Sequence, residues 1–182
     1  MCTHTDLNKI RTKKDIICYK VLKNDKGYFR APYYAHFIYV LGKGYISYLG
    51  AEIEKRGKSH FTIHEIKYLH KWLKEYCGFT IWDTLKYIVN AGALHEIRKI
   101  KEGLYAFLDQ EHARMTMEDF CISRSEQTYS VVKCIIPAGS YIYVNLTTEV
   151  IVSESLIVEE IVDSLQYSRY IAYKLCDSKY PW

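Results

Sequence analysis

Metal ligation and nucleophilic catalysis are the chemistries first suggested by the reactive residues of this chain, and spacing argues against both. His60, His64 and His70 lie close together, with Glu65 directly after His64. His60 and His64 are four apart, but a zinc hydrolase helix needs the order His-Glu-x-x-His, so that both imidazoles face one metal while the glutamate acts as base. Position 68 is Tyr68 instead, and His64 and His70, six apart, point to different helix faces. His95-Glu96 fails in the same way, with Lys99 where a ligand is needed. These histidines read as solvated or capping groups, and no metal or cofactor is expected. Cys134 stands mid-strand among apolar residues, the setting of an inert thiol. Cys77 precedes a glycine at a helix end, the wrong end of the macrodipole for lowering a thiol pKa. No G-x-S-x-G elbow occurs, and Gly42-Lys43-Gly44 is too short for a phosphate loop. Glu149, Glu154, Glu159 and Glu160 are available for acid–base work, although Glu159-Glu160 reads as an exposed strand end.

Binding chemistry is better represented. Arg98, Lys99 and Lys101 precede Tyr105 and Phe107, and Lys133, Tyr141 and Tyr143 fall on an expected β-hairpin at Val131–Val144. Strand alternation puts Tyr141 and Tyr143 on one face. Rings that stack and cations that neutralise phosphate suit a nucleotide or a single strand. The same face suits a protein partner. The plainer alternative packs the rings under helices and leaves the cations solvated.

The chain that must position these groups has 182 residues, enough for one full-sized domain. Its 49% hydrophobic and 25% charged content is that of a globular protein, and 18 tyrosines against 3 prolines favour sheet with a contact face. The net charge is +4, and the first fourteen residues hold Lys9, Arg11, Lys13 and Lys14 against Asp6 alone. Residues 1–14 therefore read as a flexible basic arm able to touch nucleic acid, and 15–182 as a single domain. Six scattered cysteines without a C-x-x-C pair suggest free thiols in a reducing cytoplasm. Neither an apolar leader nor a membrane-length apolar run stands out.

Periodicity gives an α+β fold: a mainly antiparallel sheet with an inserted two-helix unit at 62–92 and a further helix packed on one face. Strands are expected at Ile16–Leu22, at Tyr28–Arg30 after an Asn24–Gly27 turn, around His36–Leu41 and at Tyr45–Leu49. Thr62 and Glu65 form a capping box, with Ile66, Leu69, Trp72 and Tyr76 inward and Gly78 as the stop. Thr80 caps a second helix with Ile81, Leu85, Ile88 and Val89 inward. Later strands are expected at Leu94–Ile100, Gly103–Phe107, Tyr129–Ile136, Ser140–Val144, Glu149–Val152 and Leu156–Val162. Asp109 caps a helix to about Phe120, and Asp163–Leu175 reads as a docking helix. An exposed edge at Ser140–Val144 would pair with a second copy, giving a homodimer.

Tyr19-Lys20-Val21-Leu22, Gly103-Leu104-Tyr105-Ala106-Phe107 and the run Val132 to Ser140 together resemble a group of small proteins from tailed bacteriophages and gut Bacteroidales mobile elements. In that group the middle motif reads Gly-Phe-His, where this chain has Tyr105, and a K-C-x-I-P-x-G segment follows. The resemblance covers residues 16–22 and 103–162. It implies an accessory, anti-defence type protein of the bacterial cytoplasm. The expectation is a non-catalytic binder that inhibits or sequesters a host protein or nucleotide, for instance a nuclease complex or signalling nucleotide. A looser similarity to ADP-ribosyltransferase-like folds implies the alternative of an NAD-using enzyme with Glu149 or Glu154 as its acid. Direct nucleic-acid binding through the basic arm is a third expectation.

Overall fold

In the computed structural model, residues 9–25, 28–32, 37–52, 62–90, 99–123, 127–145 and 150–166 are described. Their elements in chain order are β1 (Ile10–Arg11), β2 (Ile16–Asp25), β3 (Tyr28–Arg30), β4 (Ile38–Tyr39), β5 (Lys43–Ile46), β6 (Gly50–Glu52), α1 (Ile63–Cys77), α2 (Ile81–Asn90), β7 (Lys99–Glu102), β8 (Leu104–Phe107), α3 (Gln110–Ser123), β9 (Thr128–Ile136), β10 (Tyr141–Asn145), β11 (Val150–Ser153) and β12 (Ser155–Gln166). Ten of these strands belong to an antiparallel sheet and β6 and β7 form a separate ribbon, so the fold is α+β. The chain gathers into two compact units.

The first unit holds β1, β6, α1, α2, β7, β10 and β11. Residues 9–13 alternate: Ile10 and Thr12 are buried while Arg11 and Lys13 are exposed, the period of a one-sided strand. β1 pairs with β10 in the register Ile10↔Ile142 and Arg11↔Tyr141, and β10 pairs on its other side with β11. The helices leave and return through the antiparallel β6–β7 ribbon, which makes them an excursion with its own stem. α1 starts at the expected capping box, where the Glu65 amide donates to the Thr62 hydroxyl and the Thr62 amide donates to the Glu65 carboxylate at 2.7 Å. Leu69, Leu73 and Cys77 make its buried line, and Gly78 ends it at φ 71°.

α2 begins at Thr80 as expected, with the Thr80 and Asp83 side chains capping each other's backbone. Its inward face differs from the expected one. Thr84 and Tyr87 are buried, whereas Ile81 is 45% and Val89 78% exposed. The Thr84 hydroxyl bonds both the Thr80 carbonyl and His70 Nδ1 (2.9 Å), so a polar residue can occupy the interface between the two helices.

The second unit holds β2 beyond Ile16, β3, β4, α3, β9 up to Ile135 and most of β12. β2 and β3 form the expected hairpin with Asp25↔Tyr28 at its tip, and β3 pairs onward with β4. α3 starts where the Asp109 carboxylate accepts the His112 amide. Its Ala113, Met117, Phe120 and Cys121 pack on Val21, Tyr129 and Val131, with the Phe120 and Tyr129 rings stacked 5.5 Å apart. Each buried Val, Met or Phe of this cluster contributes about 1.5–3 kcal/mol.

Three expectations are corrected. β9 and β10 flank the Pro137–Gly139 turn but do not pair with each other, since β9 pairs with β12 and β10 with β1 and β11. The turn's polar groups are spent on residues 11–15 instead. The Gly139 amide donates to the Thr12 carbonyl, the Ala138 amide to Asp15, the Thr12 hydroxyl to the Pro137 carbonyl, and Arg11 Nε to the Gly139 carbonyl. Both edges of β10 are therefore taken at Tyr141 and Ile142, within the stretch expected to be an open edge. Finally, Asp163–Gln166 extend β12 opposite Thr128–Val131 rather than opening a helix, and 167–175 lie outside the described residues. The strand passes two register shifts on the way, and these break simple alternation. Of the expected arm, residues 1–8 lie outside the described residues, and 9–14 carry β1 and the contacts above.

Candidate functional site

The described sequence-derived binding residues divide between the two units: Lys99, Lys101, Tyr105, Tyr141 and Tyr143 fall in the first, Phe107 and Lys133 in the second. Arg98 lies outside the described residues, and Lys99 and Lys101 fall on β7. Tyr105 on β8 is 37% exposed, while Phe107, two residues on, packs against the α3 core. Lys133 is not a free cation, because its ammonium bonds Glu159 at 2.8 Å and Glu160 at 3.4 Å. The Glu159 carboxylate also holds its pKa above the ordinary lysine range. Tyr141 is 41% exposed, but Tyr143 is buried against Leu49 and Val152. Ile142, Tyr143 and Val144 are all buried, so β10 is covered on both faces there, and Tyr143 is a core ring and is removed from the candidate site.

Among the described residues, the thiols, Lys20 and Glu154 are committed to structure. Cys18 and Cys134 are fully buried, and the Cys18 thiol donates to the Cys134 carbonyl at 3.7 Å. Burial drives both thiols up, Cys134 to about 12, so neither supplies a thiolate near neutral pH. Cys77 is likewise raised to about 12 by burial. Lys20, beside these thiols, is pushed down to about 8 by burial, its ammonium 5.2 Å from the Tyr39 ring centroid. Glu149 lies outside the described residues. Glu154 accepts the Tyr141 amide at 3.0 Å and so fixes the end of β10. Ser153 donates to the Ser155 carbonyl, and the Ser155 hydroxyl pairs with that of Ser140. Among the described residues no three His, Cys, Asp or Glu side chains are grouped to hold a metal ion. No described helix is long and apolar enough to cross a membrane.

What the structure does bring together, within the first unit, is two ring–cation pairs whose cations, Lys9 and Arg11, lie at and just before β1. The Arg11 guanidinium lies 5.9 Å from the Tyr141 ring centroid, directly across the β1–β10 pair. Two residues earlier, Lys9 Nζ lies 5.6 Å from the ring centroid of Tyr48, which is 63% exposed. Residues two apart on an extended strand share a face, so the two pairs repeat on one side of the chain. Lys13, next in the alternation, has its ammonium at the C-terminus of α1, where an added Cβ on Gly78 would meet it at 2.6 Å. Sequence reasoning found Tyr141 but missed Lys9, Arg11 and Tyr48 as partners. The signal was the polar–apolar alternation of residues 9–13, which a basic N-terminal stretch disguises as a loose arm.

No protein-family model matches this chain, and neither curated proteins nor solved structures include a match to it.

Proposed function

We propose that this chain is a non-catalytic binding protein of phage or mobile-element type that inhibits or sequesters a host component in bacterial cytoplasm. The component it binds is one that carries negative charge and flat rings, of the nucleotide kind. The observation that carries this reading is the pairing of Lys9 with Tyr48 and of Arg11 with Tyr141 on one strand face. Cations placed over exposed rings offer both phosphate neutralisation and a stacking surface. The commitment of the described thiols and of Glu154 to burial and backbone bonds favours binding over covalent or acid–base chemistry. The likeness of residues 16–22 and 103–162 to accessory phage proteins supports the anti-defence setting.

The test is thermal denaturation of the full chain against a panel of nucleotides, beside a pull-down from bacterial lysate treated and untreated with nuclease. A ligand that binds only the folded state raises the melting temperature in a concentration-dependent way. Such a shift, with nuclease-sensitive capture, is the expected result. Silence in both assays overturns the reading.

A further inference from the structure

Resting on that reading of the β1 face, we propose that its ligand is single-stranded nucleic acid laid along β1, with successive bases on Tyr48 and Tyr141. Three observations converge. First, the ring–cation unit occurs twice, as Lys9 with Tyr48 and Arg11 with Tyr141, at the two-residue period of a strand. That period sets the two cations about 6.6 Å apart along the backbone, so the two units follow one another in one direction, as the units of a polymer do.

Second, both rings are open to solvent: Tyr48 is 63% and Tyr141 41% exposed. Small-molecule ligands are held in concave sites that cover most of their surface. An open row of rings gives a mononucleotide one weak contact, whereas an oligonucleotide gains from each repeat through the raised effective concentration of the next base. Stacking is also indifferent to base identity, since every base has a π face.

Third, the row is anchored by structure that leaves the rings in place without a ligand. Ile10 and Thr12, on either side of Arg11, are buried, and Arg11 Nε is bonded to the Gly139 carbonyl at 3.0 Å. The Tyr141 amide is held by Glu154. Two outward cations also limit the electrostatic part of binding, which makes the expected salt dependence shallow and measurable.

The experiment is fluorescence anisotropy with labelled oligothymidylate and oligouridylate of about twenty nucleotides, against full-length protein, with thymidine and uridine monophosphates as competitors. Expected are binding by the oligonucleotides at least about tenfold tighter than by the monophosphates, and a slope of log K on log salt of about −1.4, from two cations at roughly −0.7 each. Tyr48→Ala should weaken binding roughly 5- to 100-fold, with unchanged melting because the ring is largely exposed. Lys9→Gln should flatten the salt slope by about half. Oligonucleotides no tighter than monophosphates overturn the polymer proposal while leaving a nucleotide-binding face in place. Oligonucleotide binding that Tyr48→Ala and Lys9→Gln do not change overturns the assignment to β1. Binding by neither ligand class removes this proposal together with the function it rests on. The two oligonucleotides separate a DNA from an RNA preference.

Discussion

Lys20 and Tyr39 form a buried ammonium–ring pair, with Nζ 5.2 Å from the ring centroid and Lys20 only 7% exposed. Burial lowers the amine from its ordinary 10.5 to about 8. The unfolded chain therefore binds one more proton than the fold between pH 8 and 10.5, and this group makes stability rise with pH across that window. Below pH 8 its full cost is present. Lys20→Met, which keeps the stem and removes the charge, should be more stable than wild type at pH 7. The gap should narrow by up to about 3 kcal/mol as the pH approaches 10.5. Urea midpoints of both proteins across that range decide it, and a gap that stays constant means the amine keeps its solution pKa in the fold.

The buried thiols make a second expectation. Cys18, Cys77, Cys121 and Cys134 are all buried, and burial raises Cys121 to about 11 and Cys77 and Cys134 to about 12. A thiol reagent at pH 8 attacks only thiolate it can reach. Of the six cysteines, no more than two should therefore react quickly in the native protein, and all six after denaturation. Rapid native titration of three or more would contradict the burial of these four thiols.

How far the sequence reveals this fold depends on how local each determinant is. The boundaries of α1, α2 and α3 are legible because Thr62 with Glu65, Gly78, Thr80 with Asp83, and Asp109 act within a few residues of themselves. Strand partners are not local. The turn at Pro137–Gly139 has every mark of a hairpin, yet Thr12 and Asp15, more than 120 positions away, accept its amides, and β1 takes the edge of β10. Burial is decided by partners too. Thr84 is inward because His70 is there to bond it, and Tyr143 is core because Leu49 and Val152 meet it. For the same reason the candidate site was only half visible. Tyr141 could be named from its strand, but Arg11 becomes its neighbour only through the β1–β10 register.

Gly78 tests the helix stop. Its φ of 71° is left-handed, and a Cβ there would also meet the Lys13 side chain at 2.6 Å. Gly78→Ala should cost roughly 1–2 kcal/mol from the backbone conformation alone. The Lys13 end is flexible and can move aside, so adding Lys13→Ala should recover little of that loss. Denaturation of the single and double variants distinguishes the two causes. Full recovery in the double variant would place the cost in the lysine contact instead.

The N-terminal segment gives the last prediction, because β1 is read in opposite ways by sequence and by structure. A solvated arm can be deleted without consequence to the fold. The structure instead buries Ile10 at 3% and Thr12 at 2% exposure, pairs Ile10 with Ile142, and spends the Thr12 hydroxyl on the Pro137 carbonyl. Ile10→Ala should destabilise the chain by about 2–5 kcal/mol through lost burial and the cavity left behind. Thr12→Val keeps the shape but strips the carbonyl of its donor, at about 1–3 kcal/mol. Deleting residues 1–14 removes both, along with the backbone bonds to Gly139 and Ser140, and should lower the melting temperature by more than either substitution. Loss of nucleic-acid binding in that deletion would then report lost folding as much as lost charge. Substitutions at the outward Lys9 and Tyr48 avoid this confusion. If instead the deletion melts like the full chain, β1 contributes nothing to the fold and residues 9–14 do behave as an arm.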